Sequence, residues 1–209
     1  MNTNLGTALA KIHMIADKES FKASREPIDL VQLSIKPLGL IKQYLVHRID
    51  DYTFLCDAAE VLSNYVLENF NNEKPYFGFC HGDIHSGNVF FQDNEPKIFD
   101  FDCMGYGWRA YEICVFLWNE MRKDEKYIEG DAWKGFLRGY NSVRQLIDIE
   151  LASIFDFSAL RQLWMMGIHA DVMERNAGCC WYNDEYFDSE ISTLRCSMNE
   201  LLINLNTKK

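Results

Sequence analysis

Residues 76–102, YFGFCHGDIHSGNVFFQDNEPKIFDFD, constrain the chain more than any other stretch. Tyr76–Cys80 is an aromatic-rich apolar run, the pattern of a short buried strand. His81–Asn88 then sets seven polar or glycine residues in eight positions, and Gly82 and Gly87 admit backbone angles closed to most residues. Val89–Phe91 is apolar again, Asp93-Asn94 supply a turn, and Lys97–Phe101 resume the strand. Folded in this way, Asp83, Asn88 and Asp100 are expected to converge from adjoining strand ends. Two carboxylates and an amide make an oxygen-rich site suited to magnesium.

The spacing adds a second constraint. Asp83 and Asn88 fit D-x-x-x-x-N, and Asp100 follows across a hairpin at the head of D-F-D. Protein kinases use this order: one Asp takes the substrate hydroxyl proton, the Asn holds one Mg²⁺, and the Asp of D-F-G holds the metals. Here His-Gly-Asp replaces His-Arg-Asp, and Asp102 stands where the Gly of D-F-G would be. HGDIHSGN and FDFD together resemble the aminoglycoside phosphotransferase family of kinase-like small-molecule kinases, which includes choline, homoserine and fructosamine kinases. GTALAKIH (6–13) resembles the helix that opens the family's C-terminal lobe, and GYGWRAYEICVFLW (105–118) resembles its segment after the metal site. The likeness runs in family order over about residues 5–175.

The resemblance implies an α+β, mainly helical fold: a protein-kinase-like C-terminal lobe with a small catalytic β-hairpin region, one lobe over residues 1–209. It implies transfer of the ATP γ-phosphoryl group to a hydroxyl of a small molecule such as an aminoglycoside or amino alcohol. In that reading Asp83 orients the hydroxyl and finally accepts its proton. Asn88 and Asp100 hold Mg²⁺ against the phosphates, with Asp102 as a further candidate ligand. His85 is a candidate donor to a phosphoryl oxygen, with a plain loop hydrogen bond as the equal alternative. His81 packs under the loop. Glu112 occupies the position of a family Asp that braces the catalytic loop; it is one methylene longer, a change that bracing tolerates better than metal ligation.

Kinases also cover the phosphates with a glycine-rich hairpin and hold them with a strand lysine. Upstream of residue 76 the only glycines are Gly6 and Gly39, and no lysine lies in an alternating strand. The family's N-terminal lobe is therefore expected to be missing. The chain alone should then be a poor catalyst, with an apolar surface near Leu5 and Leu9. Two rival readings stay open. One is a pseudokinase-like lobe that binds a partner or ligand without transferring phosphate. The other is a metal-dependent phosphohydrolase built on His81, Asp83, His85, Asp100 and Asp102.

Composition narrows the partners. A net charge of −10 argues against a nucleic-acid or anionic-membrane ligand and agrees with an amine-bearing substrate. The seven cysteines lack any C-x-x-C pair, so neither a zinc knuckle nor a redox motif is expected, and a reducing, cytoplasmic setting fits. The N-terminus has no signal-peptide pattern, and no run approaches the roughly 18 apolar residues of a membrane span. Oligomeric state is not written in the sequence.

Elsewhere the periodicity predicts helices. Asn4 is expected to cap one running to Asp17, with Leu5, Ala8, Leu9, Ile12 and Ile15 on one face. His13, beside that stripe, reads as a helix-end residue bonding locally. Ile28–Leu45 reads as helix broken near Pro37-Leu38-Gly39, and Asp51–Phe70 as a clear amphipathic helix. Gly105–Ala110 spells G-x-G-x-x-A but lacks a following strand, so a turn is expected rather than a dinucleotide loop. Ile128–Leu146 and Leu151–Asn176 read as helices, the latter interrupted near Asp156. Asp171 and Glu174 are candidates for a substrate cleft, with solvated helix charges favoured. Glu185–Asn206 carries a short heptad seam expected to pack back onto the domain.

Overall fold

The computed structural model describes residues 1–19, 25–173 and 183–207. In chain order the elements are α1 (Asn2–Lys18), α2 (Lys36–Ile41, entered through a π-helical turn Val31–Ile35), α3 (Ile49–Asn69), β1 (Phe77–Cys80), β2 (Val89–Gln92), β3 (Glu95–Ile98) and β4 (Gly105–Trp108). There follow α4 (Arg109–Met121), α5 (Asp131–Asn141), α6 (Asp148–Ala152), α7 (Ile154–Met173) and α8 (Asp184–Thr207). The fold is mainly helical with two small antiparallel ribbons, β1–β4 and β2–β3. The chain divides into two compact units: Met1–Ile28 with Asn71–Ile154, and Asp29–Phe70 with Phe155–Lys209.

The first unit is built on α1 and α5. They approach so closely that a Cβ on Gly6 would strike the Phe136 carbonyl and one on Gly139 would strike the Thr3 carbonyl. Leu5, Leu9, Ala10 and His13 form the buried face of α1. Leu5 and Leu9, expected near an open apolar surface, are thus core, while Ile15 is 62% exposed. Asn4 lies inside α1 rather than capping it, and its amide donates to the Asn94 carbonyl at 2.8 Å, tying the helix to the β2–β3 turn. Phe116 of α4 stacks on Phe136 of α5 with ring centroids 4.4 Å apart.

Gly105–Trp108, read from sequence as a turn, is a strand. It pairs antiparallel with β1 in the register Phe77↔Trp108 to Cys80↔Gly105. Its glycines are needed because another segment crosses it: Cβ atoms on Gly105 and Gly107 would lie 2.7 Å from the Glu26 carbonyl and 2.9 Å from Ile28 Cβ. The β2–β3 hairpin turns at Asp93-Asn94 as expected, both with positive φ (52° and 63°), the conformation of a tight two-residue hairpin turn.

In the second unit, α3 buries Leu55, Ala58, Ala59, Leu62 and Val66, one stripe of a helical period. Phe187, Ile191, Leu194 and Met198 are buried apolar positions of α8, which packs on α3. The helix over 31–44 changes winding but does not break at Pro37, which falls in the first turn of α2 just after the π-helical turn. The interruption expected near Asp156 falls at Ser153, between α6 and α7, and α5 is shorter than Ile128–Leu146. Among the described residues no helix is long and apolar enough to cross a membrane. Cys56, Cys80, Cys103, Cys114 and Cys196 form no disulfide; Cys179, Cys180 and Glu174 lie outside the described residues.

Candidate active site

The loop between β1 and β2 takes its shape from one glycine and two local hydrogen bonds. Gly82 has φ +82°, and a Cβ there would collide with the Cys103 carbonyl, so only glycine fits. The His85 ring accepts from the Gly87 N–H at 2.9 Å through Nδ1, and the Asn88 N–H donates to the His85 carbonyl at 2.9 Å. With Nδ1 used as acceptor, the proton of the neutral His85 ring sits on Nε2, 3.5 Å from Asp83 Oδ2. His85 thus faces Asp83 directly.

Asp83 and Asn88 are joined. The Asn88 amide nitrogen donates to the Asp83 carbonyl at 3.0 Å and lies 3.3 Å from its carboxylate Oδ2. That use of the nitrogen leaves the amide oxygen as the side chain's candidate donor to a ligand. Asp100 sits in the left-handed region (φ 63°, ψ 66°) at the head of a 3₁₀ turn over Phe101–Cys103, and the Phe99 N–H donates to the Asn88 carbonyl at 3.1 Å. Asp100 is exposed, and the Asp102 side chain is 91% exposed with Arg25 3.8 Å away.

His81 links the two acid-bearing segments. Its Nδ1 lies 3.3 Å from the Asp83 N–H and its Nε2 lies 2.9 Å from the Phe99 carbonyl. One neutral tautomer satisfies both: Nδ1 accepts and Nε2–H donates. The ring is fully buried and packs on Phe101, centroids 4.4 Å apart. Glu112, on the first turn of α4, accepts from the His81 N–H and from the Gly82 N–H at 3.2 Å, so its fully buried carboxylate grips the backbone just ahead of Asp83. Burial alone would raise this carboxyl. The nearby His13 and the Gly82 N–H outweigh burial and hold it below the usual carboxylate range.

Sequence reasoning missed two features. Arg109 is fully buried, donating to the Phe79 carbonyl and pairing with Asp17 at 2.7 Å, so it bolts the end of α1 to β1. The G-x-G-x-x-A stretch contains this arginine, but nothing in its spacing points inward. The second is Phe90 and Phe99, 54% and 44% exposed, with centroids 6.1 Å apart beside Asn88 and Asp100. Both are apolar letters within strand-like runs, and nothing in those runs shows that the two rings face outward beside the candidate ligands. Among the described residues, the His/Cys/Asp/Glu group whose donor atoms come within 4.8 Å of one another is His13, Cys80 and Glu112. The histidines and aspartates of a phosphohydrolase cluster do not assemble in that way. Asp171 is exposed.

A mainly helical fold that presents an Asp–Asn loop, with a further Asp directly after the next hairpin, has the kinase-like fold of small-molecule kinases. The chain belongs to the phosphotransferase enzyme family (APH), whose sequence profile matches residues 2–146. It is 33% identical over 171 residues to an uncharacterized protein of Synechocystis sp., a match covering 81% of this chain and 46% of the relative. It is 27% identical to the amicoumacin kinase of Bacillus subtilis over 133 residues, 61% of this chain and 39% of that protein. An amicoumacin kinase structure solved with AMP-PNP and Ca²⁺ superposes with a TM-score of 0.72 at 23% identity, covering 95% of this chain and 58% of the other. A choline kinase from Cryptosporidium parvum gives 0.70 at 14% identity, over 97% and 66%. The chain spans about half the length of the curated relatives it matches.

Proposed function

We propose that this chain carries the hydroxyl-orienting and metal-holding residues of an ATP-dependent phosphotransferase acting on a small, amine-bearing alcohol. The observation that carries the reading is the bond from the Asn88 amide to Asp83, together with the His81 ring that ties the Asp83 N–H to the Phe99 carbonyl next to Asp100. Asp83 receives the substrate hydroxyl, orients it and takes its proton late, since a loose phosphoryl-transfer transition state demands position more than base strength. His85, facing the same carboxylate, steadies it or donates to a phosphoryl oxygen.

The donor set of the Asn88 amide oxygen, Asp100 and Asp102 consists of hard oxygens and fits Mg²⁺. A magnesium ion held there would neutralise charge on the transferring phosphates. Phe90 and Phe99, half-exposed with their rings tilted at 44° to one another, offer an apolar surface beside the candidate ligands against which part of a nucleotide could rest. The acidic composition supports a cationic acceptor.

The test is an ADP-release assay with amino alcohols and aminoglycosides, on the longest natural form of the protein that contains these residues. Asp83→Asn should lower turnover by roughly 10²–10⁴-fold while nucleotide affinity stays nearly constant. Equal turnover in the variant removes Asp83 from this role. Binding of Mg·ATP without turnover on any acceptor would favour a ligand-binding lobe instead.

A further inference from the structure

His13 is a buried titratable group that the phosphotransfer reading leaves unused. Three helices meet on its ring. It projects from α1, its Nδ1 lies 2.8 Å from the Tyr140 hydroxyl of α5, and its Nε2 lies 3.7 Å from Glu112 Oε2 of α4. No solvent reaches the imidazole or the carboxylate. Glu112 in turn holds the N–H groups of His81 and Gly82, and the next residue is Asp83. A continuous path therefore runs from the Tyr140 hydroxyl through His13 and Glu112 to the backbone of the catalytic loop.

The geometry selects one protonation pattern. A phenol can donate to Nδ1, which leaves the ring proton on Nε2, pointing at an anion. The other tautomer would aim the Nε2 lone pair at a carboxylate in a dry interior, where charge interactions fall off slowly. At 3.7 Å the His13–Glu112 pair exceeds hydrogen-bond length, and the neutral ring acts on the carboxylate through the dipole of its N–H. Burial and the positive charge of Arg109 keep the ring neutral, lowering its pKa to about 4.

We propose that His13 is a positioning residue: Tyr140 fixes its neutral Nε2–H tautomer, and that N–H steadies the Glu112 carboxylate that grips the loop ahead of Asp83. The consequence for rate rests on the phosphotransferase reading; the geometric claim does not. A bound cation is the competing account, because His13, Cys80 and Glu112 offer a nitrogen, a sulfur and an oxygen within 4.8 Å of one another, donors that zinc accepts. The Arg109 guanidinium already supplies positive charge to both His13 and Cys80, and both Glu112 oxygens already accept from the loop. That occupancy favours the positioning role.

The experiment uses the 209-residue chain with ¹⁵N-labelled histidine and amide hydrogen exchange. His13 should read as the Nε2–H tautomer at neutral pH. Tyr140→Phe, which keeps the ring and loses the hydroxyl, should mix the tautomers and speed exchange at the His81 and Gly82 amides about tenfold, the equivalent of one net hydrogen bond. Amides of the β2–β3 hairpin should hold. His13→Gln, which retains an N–H donor, should preserve protection that His13→Leu loses. In the active protein Tyr140→Phe should lower kcat with little change in KM for nucleotide. An Nδ1–H tautomer, unaltered exchange in Tyr140→Phe, or stoichiometric zinc in the purified chain would overturn the proposal. The expected exchange changes without phosphotransfer in any form would uphold the positioning and sink the phosphotransferase reading.

Discussion

Helices α3 and α4 solve different problems with the same backbone. α3 buries a stripe of Leu55, Ala58, Ala59, Leu62 and Val66 and leaves its charges in water. α4 buries every residue from Arg109 to Leu117, an arginine and a glutamate included. A lone charge in such a place costs several kcal/mol, so each must have a partner. Arg109 has Asp17 and the Phe79 carbonyl; Glu112 has the loop N–H groups and His13. The apolar stripe of α3 serves adhesion alone. The buried charges of α4 hold particular backbone groups in particular places, and those groups flank the candidate site.

The contrast can be broken most severely at Arg109. Arg109→Met strands Asp17 and the Phe79 carbonyl, and stability should fall by about 3–5 kcal/mol, read from urea unfolding. A loss under 1 kcal/mol would place Arg109 with ordinary surface charges.

The next largest effect is a pH dependence. Unfolded His13 binds a proton near pH 6.5, whereas the folded protein resists protonation until about pH 4. Between those values the unfolded state holds more protons, so stability falls as pH drops through that window, by about 3 kcal/mol in total. Burial of the ring is the main cause of this shift; among the groups around it, Arg109 and Arg144 also oppose protonation, Glu112 favours it, and Tyr140 bonds Nδ1. Denaturant unfolding at pH 7 and pH 4.5 should show the drop in wild type and a flatter response in His13→Gln. Parallel slopes would mean that the ring titrates normally.

Glu112→Gln keeps the volume but not the charge. One loop N–H then faces an amide NH₂, and a loss of about 1–3 kcal/mol is expected, with turnover reduced more than nucleotide binding. The smallest effect belongs to α3. Arg195 pairs with Asp51 at 3.0 Å at a partly exposed site, and Arg195→Ala should cost at most about 1 kcal/mol, much of it removed by salt in the wild type. If Arg195→Ala matched Glu112→Gln in thermal melts, the distinction between the two helices would fail.

The same contrast explains what the sequence disclosed. α3 is legible because its period of apolar residues is a property of adjacent letters. The loop was legible through HGDIHSGN and FDFD, and the tight turn through Asp93-Asn94. β4 was not, since its glycines are there to let Glu26 and Ile28 pass, a reason supplied by residues nearly eighty positions away. His13 was read as bonding locally, yet its hydroxyl partner is 127 residues distant. Arg109 carried no signal at all, because a buried guanidinium is recognised only by the acid and carbonyl that receive it. Asn4 carries the letter of a cap, but its amide reaches a turn rather than its own helix.

The His81 bridge carries an evolutionary consequence. One imidazole fastens the Asp83 backbone on one side and the Phe99 carbonyl, next to Asp100, on the other. A displacement of either backbone segment is therefore passed to the other through one ring. The walls around such a site can be altered by substitution while the two acid-bearing segments stay tied to one another.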